Sequence, residues 1–143
     1  MRRQLTALVA AAACLVLAGL LRADAMAQTA RGGWTMPDEA AAEKNPLTVN
    51  DGVLAAGRKL YVAKCQRCHG PDGSGDGPDA DSTAAARMDL RAANRAQLNP
   101  DGVVFYKIWN GRVKPKMPVF SEELSREQAW AIVAYVQSLR AAK

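Results

Sequence analysis

The chain has 143 residues, 19 basic and 14 acidic side chains, a net charge of +5 and 49% hydrophobic residues. That length holds one domain, or a short one with a tail, and the apolar content excludes wholesale disorder. One histidine and three cysteines exclude a four-cysteine zinc site and any centre built on two histidines, so the chemistry must rest on very few groups.

The N-terminus reads as an export signal. Met1-Arg2-Arg3 precedes an apolar run from Leu5 to Leu21, and Ala23, Ala25 and Ala27 follow at small-x-small spacing. A basic start, an apolar middle and a small-residue end make residues 1–27 a secretory signal peptide, cut after Ala27 or Ala25. The alternative is an uncleaved anchor, and the run falls just short of the roughly 18–20 residues that span a bilayer. Lipidation at Cys14 is a weak third option, because Ala11-Ala12-Ala13 lacks a bulky residue before it. Loss of Arg2, Arg3, Arg22 and Asp24 leaves sixteen basic against thirteen acidic groups, or +3. So small an excess is no argument for nucleic acid, which needs a clustered basic face. Only Cys65 and Cys68 then remain, in an oxidising compartment.

Residues 28–49 carry Gly32-Gly33, Pro37 and Pro46, a density of breakers that predicts an extended leader tacked on by Trp34 and Met36. The domain proper is expected over 50–143. A first helix is predicted from Asp51 to Lys64 with Asn50 as N-cap, burying Val53, Leu60 and Tyr61, and with Gly57 open to close approach by another element. Gly70 to Leu98 reads mostly as loop. A second helix begins at Asn99-Pro100, N-cap then proline, carries Val104, Phe105 and Ile108 inward and stops at Gly111. The third has a capping box in Ser125 and Gln128, a staple between Leu124 and Ala129, and an apolar side of Trp130, Val133, Ala134, Val136 and Leu139. No period-2 strand pattern is present, so the fold class is all-α.

Cys65-Gln66-Arg67-Cys68-His69 matches the C-x-x-C-H haem attachment pattern. One turn of helix puts two thiols on one side, where each adds to a haem vinyl group, and the next residue offers its imidazole to the iron. A thioredoxin-like pair needs a βαβ setting, and a zinc site needs a fourth ligand that the mature chain lacks. A disulfide between cysteines three apart closes too short a loop to stabilise much. The glycines from Gly73 to Gly77 lack the Lys-Ser/Thr ending of a phosphate loop and follow no strand. For a second axial ligand the mature chain offers Met36, Met88 and Met117. Pro115 and Pro118 frame Met117 and stiffen its loop, which singles it out as the sulfur ligand. Arg112, Lys114 and Lys116 just before it are either a solvated loop or a docking surface for an acidic redox partner.

From Asn50 to Arg140 the chain resembles the class I c-type cytochromes, the small bacterial periplasmic monohaem kind. The resemblance lies in Gly57-x-x-x-Tyr61, Cys65-Gln66-Arg67-Cys68-His69, Gly73-Ser74-Gly75-Asp76-Gly77-Pro78, Met117-Pro118-Val119-Phe120 and a last helix with Trp130 and Tyr135. It implies a cytochrome c fold of three to five helices around one covalent haem, with iron held by His69 and Met117. It also implies that Gly57 meets the Ala134-Tyr135 region where the terminal helices cross, and that the leader wraps the domain. Two departures are a tryptophan at 109 in place of a small polar residue, and no proline-rich loop around Met88-Asp89-Leu90.

The expected function is a monomeric periplasmic one-electron carrier between redox proteins, from a donor dehydrogenase to an acceptor oxidase or reductase. It would be no enzyme, and would touch membrane only if the N-terminal segment is uncleaved. A haem subunit of a larger oxidoreductase shares every site residue with it. A haem enzyme or gas sensor would need a displaceable distal ligand and acid–base groups, for which Arg112 is the sole obvious helper.

Overall fold

The structure is a computed structural model that describes residues 34–84, 88–114 and 116–141. The account below concerns the unit that begins at Met36. The expected signal peptide, Cys14 and the start of the leader lie outside the described residues, among which no helix is long and apolar enough to cross a membrane.

Among the described residues six α-helices follow one another: α1 (Glu39–Ala42), α2 (Asp51–Lys64), α3 (Gln66–His69), α4 (Ala93–Ala96), α5 (Asp101–Asn110) and α6 (Arg126–Ala141). A short 3₁₀ turn over Ser82–Ala84 lies between α3 and α4. The described residues hold no strand, and their one β-bridge pairs Arg112 with Met117. The all-α expectation stands.

Local chemistry accounts for the helix ends. The Asn50 side chain accepts the Val53 N–H at 3.0 Å and so starts α2 at Asp51, as its sequence predicts. At α6 the Ser125 hydroxyl accepts from the Gln128 N–H at 3.1 Å, while the Gln128 side chain accepts the Ser125 N–H at 2.9 Å. Both orphan donors of the capping box are therefore satisfied. The start of α5 differs by one position from expectation. Pro100 is the N-cap, and Asn99 sits one residue further out, buried, with its side chain taken by Lys107 and its carbonyl by Gln137 and Arg140. Interactions with two other turns outbid the capping role. The expected stop at Gly111 holds.

The core joins these helices. Tyr61, Val104, Phe105, Ile108, Phe120, Leu124, Ala129, Trp130, Ile132, Val133 and Val136 form one buried cluster. The largest packing face is α2 against α6. A β-carbon on Gly57 would lie 2.0 Å from the Ala131 carbonyl oxygen and 3.0 Å from the Tyr135 Cβ. The crossing is therefore centred one turn earlier on α6 than the Ala134-Tyr135 expectation, although Tyr135 takes part.

The segment after Met36 is packed, whereas its breakers predict an extended path. Glu39-Ala40-Ala41-Ala42 has the composition for one helical turn, and Met36 and Ala40 are buried. Its backbone is then tied to α5 and α6. The Gly102 N–H donates to the Glu43 carbonyl at 3.1 Å, and the Asn45 amide donates to the Trp130 carbonyl at 3.0 Å.

The clash at Gly57 is with backbone, which has little freedom to yield. Gly57→Ala should force α2 and α6 apart and cost about 1–3 kcal/mol. Thermal unfolding checks this, and an unchanged midpoint would mean the crossing is looser than described.

Candidate functional site

The site begins where α2 ends. Cys65 caps α2 and leads directly into the single turn α3, in which the Cys68 and His69 N–H groups both donate to the Cys65 carbonyl, at 3.1 and 3.0 Å. Cys65, Cys68 and His69 thus share one tight turn. Neither cysteine is in a disulfide. Cys65 also packs against the core cluster, and burial, with Cys68 adding to it, pushes its thiol up to about 12. The group is therefore a neutral thiol at pH 7.

The turn is braced on every side. The buried Tyr61, in the last turn of α2, donates its hydroxyl to the Gly70 carbonyl at 2.8 Å. Burial, with Cys65 adding to it, raises the Tyr61 pKa above its ordinary value, so the phenol stays a donor. On the outer side Arg67 makes a bidentate pair with Asp79, Nε–Oδ2 2.7 Å and Nη2–Oδ1 3.2 Å, while the Asp79 N–H returns to the Arg67 carbonyl at 2.7 Å. The loop after the motif is thereby folded back onto it.

His69 is held through its ring. Its Nδ1 lies 3.0 Å from the Met88 carbonyl oxygen. A carbonyl can only accept, so Nδ1 carries the proton and the lone pair belongs to Nε2. That is the tautomer a metal-binding histidine adopts when a carbonyl orients it. Met88 contributes its backbone carbonyl here. Sequence reasoning weighed Met88 only as a rival thioether, because a carbonyl oxygen leaves no trace in residue type.

Met117 comes from a separate segment. Its N–H and carbonyl are both paired with Arg112, at 2.9 and 2.8 Å, closing a hairpin that projects Val113, Lys114 and Lys116 outward. Beyond it the chain runs back along α5, where Phe120 and Ser121 donate to the Ile108 and Trp109 carbonyls, each at 3.3 Å. The Met117 side chain packs against the same core cluster as Cys65. An ion pair between Lys64 and Glu123 joins the end of α2 to this segment directly. Trp109 stacks on Phe105 with centroids 5.4 Å apart, Phe105 stacks on Trp130 at 4.2 Å, and the Arg126 guanidinium lies over the column. The tryptophan at 109 is thus accommodated by stacking.

Two unoxidised thiols and an imidazole with a defined tautomer, all within one turn, fit a covalently attached haem. Residues 54–140 match the cytochrome c family. The chain belongs to that family. No curated protein matches it. Membership brings covalently bound haem c, with its iron, as the cofactor, and makes this a haem-based electron-transfer chain. The fold fits as well: α2 to α6 overlap the matched span, and its described residues hold no strand.

The Arg67 hydrogen bonds hold the Asp79 carboxyl below its ordinary value. A lowered carboxylate pKa adds stability above the unfolded value of about 3.9, and that contribution is lost as pH falls through the lowered value. Asp79→Asn should therefore give a shallower fall in thermal midpoint between about pH 4 and 2. The ratio of acid to neutral midpoints is the quantity to measure, and equal slopes in the two proteins would refute the pairing.

Proposed function

We propose that the chain is a class I monohaem cytochrome c of the periplasm, a one-electron carrier with His/Met-ligated iron, made with residues 1–27 as its export signal. In this reading Cys65 and Cys68 form the thioether links, His69 is the proximal ligand through Nε2, and Met117 is the distal ligand. The observation that carries it is the hydrogen bond from His69 Nδ1 to the Met88 carbonyl. It leaves the lone pair of Nε2 available for coordination and ties the Met88 backbone to the histidine, which supports Met117 as the sulfur ligand.

When bound, the haem supplies an iron that gains or loses one electron. The protein's residues do the rest. His69 and Met117 would both hold the iron, which would then offer no open position to a substrate in either oxidation state. Tyr61, Phe105, Trp130 and their neighbours exclude water from the interior face. The chain has one histidine, and the carboxylates nearest Met117 in sequence, Glu122 and Glu123, are exposed, with Glu123 engaged by Lys64. Neither carboxylate is well placed for distal acid–base work, which supports an electron carrier over a haem enzyme in this reading.

Redox proteins are the partners in this reading, met through the Arg112–Met117 hairpin. Val113 is 83% and Val119 47% exposed, beside the exposed Lys114 and Lys116. An apolar tip among cations suits a brief encounter with an acid-rimmed donor or acceptor, in which charge speeds association more than it tightens binding.

Visible spectra of the exported holoprotein test the ligands. The wild type should show low-spin bands and a methionine-to-iron(III) charge-transfer band. Met117→Ala should lose that band, bind carbon monoxide and have a lower reduction potential. If the variant keeps the wild-type spectrum, Met117 is not the ligand. The attachment is tested separately. Replacing both Cys65 and Cys68 by alanine should let haem leave the chain on denaturing gels, while the wild type retains it.

A further inference from the structure

The residue that orients His69 sits in a segment with no proline to stiffen it. Something else must fix the Met88 carbonyl, and the glycine loop after the motif does so from several directions. Gly75 has φ +85°, and a β-carbon there would lie 2.9 Å from the Met88 carbonyl carbon and 2.8 Å from the Asp89 nitrogen. The Gly75 N–H donates to the His69 carbonyl at 2.8 Å. This one residue therefore touches both ends of the hydrogen bond, the histidine's backbone and the acceptor peptide. Next to it, the Leu90 N–H donates to the Gly73 carbonyl at 2.7 Å.

Side chains complete the brace. Arg91 pairs with Asp72 of the glycine loop at 2.7 Å, and the Asp89 carboxylate accepts the Arg91 N–H at 2.8 Å. From α6, Arg140 donates Nε to the Leu90 carbonyl at 2.8 Å. The peptide after Met88 is thus held against the loop on one side and against the last helix on the other.

We infer that Gly75, with the Asp72–Arg91 pair, is a positioning element for the iron's potential, acting through the Met88 carbonyl on the His69 ring. The inference rests on His69 being the axial ligand. A carbonyl drawing on the Nδ1 proton makes the imidazole a stronger electron donor. A stronger donor favours iron(III) and lowers the potential. Displacing the acceptor peptide weakens that donation and raises it. A glycine is required because a side chain at 75 would take the space of the Met88 carbonyl carbon, at a φ that L residues rarely adopt.

The experiment compares three holoproteins: wild type, Gly75→Ala, and the double variant Asp72→Asn with Arg91→Gln. The double variant loosens the brace at constant net charge, so a direct charge effect on the iron is largely removed, and it decides the matter if Gly75→Ala does not fold. Two quantities are read: the reduction potential, and the solvent exchange of the His69 Nδ1–H by NMR in the reduced state. Both variants should have a raised potential, a several-fold shift of the redox equilibrium toward reduced iron, together with faster Nδ1–H exchange. A fall in thermal stability with potential and exchange both at wild-type values would overturn the inference and leave these residues a structural role only. A wild-type protein without a haem-shifted His69 ring would instead overturn the ligand assignment, and this inference with it.

Discussion

The contact between Gly57 and the Ala131 carbonyl is the constraint from which the rest of the domain follows. Two helix backbones approach so closely there that no side chain fits. That approach sets the position of Tyr61 one turn further along α2. Tyr61 is fully buried, and its hydroxyl catches the Gly70 carbonyl. The turn bearing Cys65, Cys68 and His69 is then fixed at both ends, by α2 before it and by Gly70 after it. Displacement of the crossing would move the Cys65–His69 turn, the glycine loop and the Met88 peptide together. The position of a reactive group here is inherited from packing several residues away.

Much of this was legible in the sequence, where residue type itself carries the instruction. Asn50 and the Ser125–Gln128 box announce helix starts because their side chains make the capping bonds. Cys65, Cys68 and His69 announce a chemistry because thiol and imidazole have few other uses at that spacing. What escaped notice depends on backbone or on distant competition. The role of Met88 is played by a carbonyl that any residue would supply. Asn99 has the identity of a cap, but Gln137 and Arg140 of α6 claim its carbonyl from 38 and 41 residues away. The prolines and glycines around Met36–Leu47 suggest an extended strand of chain, yet Asn45 and Glu43 find partners on α5 and α6 that no local pattern reveals.

The surface charges follow the same logic. Arg67–Asp79, Arg91–Asp72, Lys64–Glu123 and Arg126–Glu43 each join segments that lie apart in the chain. Pairs this exposed contribute little to stability, and salt weakens them. Their value lies in choosing one arrangement of the connections over others of similar packing. Three of the four close on the Cys65–His69 turn, its following loop or the Met117 segment, where an ångström of drift would matter most. The large stabilising contribution comes instead from the apolar cluster that includes Phe105, Trp130 and Ile132.

The crossing also has a consequence in time. α2 is made early and α6 last, and the Asn45–Trp130 bond spans 85 residues. Contacts so distant along the chain close late, because the entropy of a long loop must be overcome before they form. Until α6 arrives, α2 has no surface to pack on and the thiols of Cys65 and Cys68 lie on an unfinished helix end. The order of synthesis therefore leaves the two sulfurs at the end of an unpacked helix during the interval before α6 arrives.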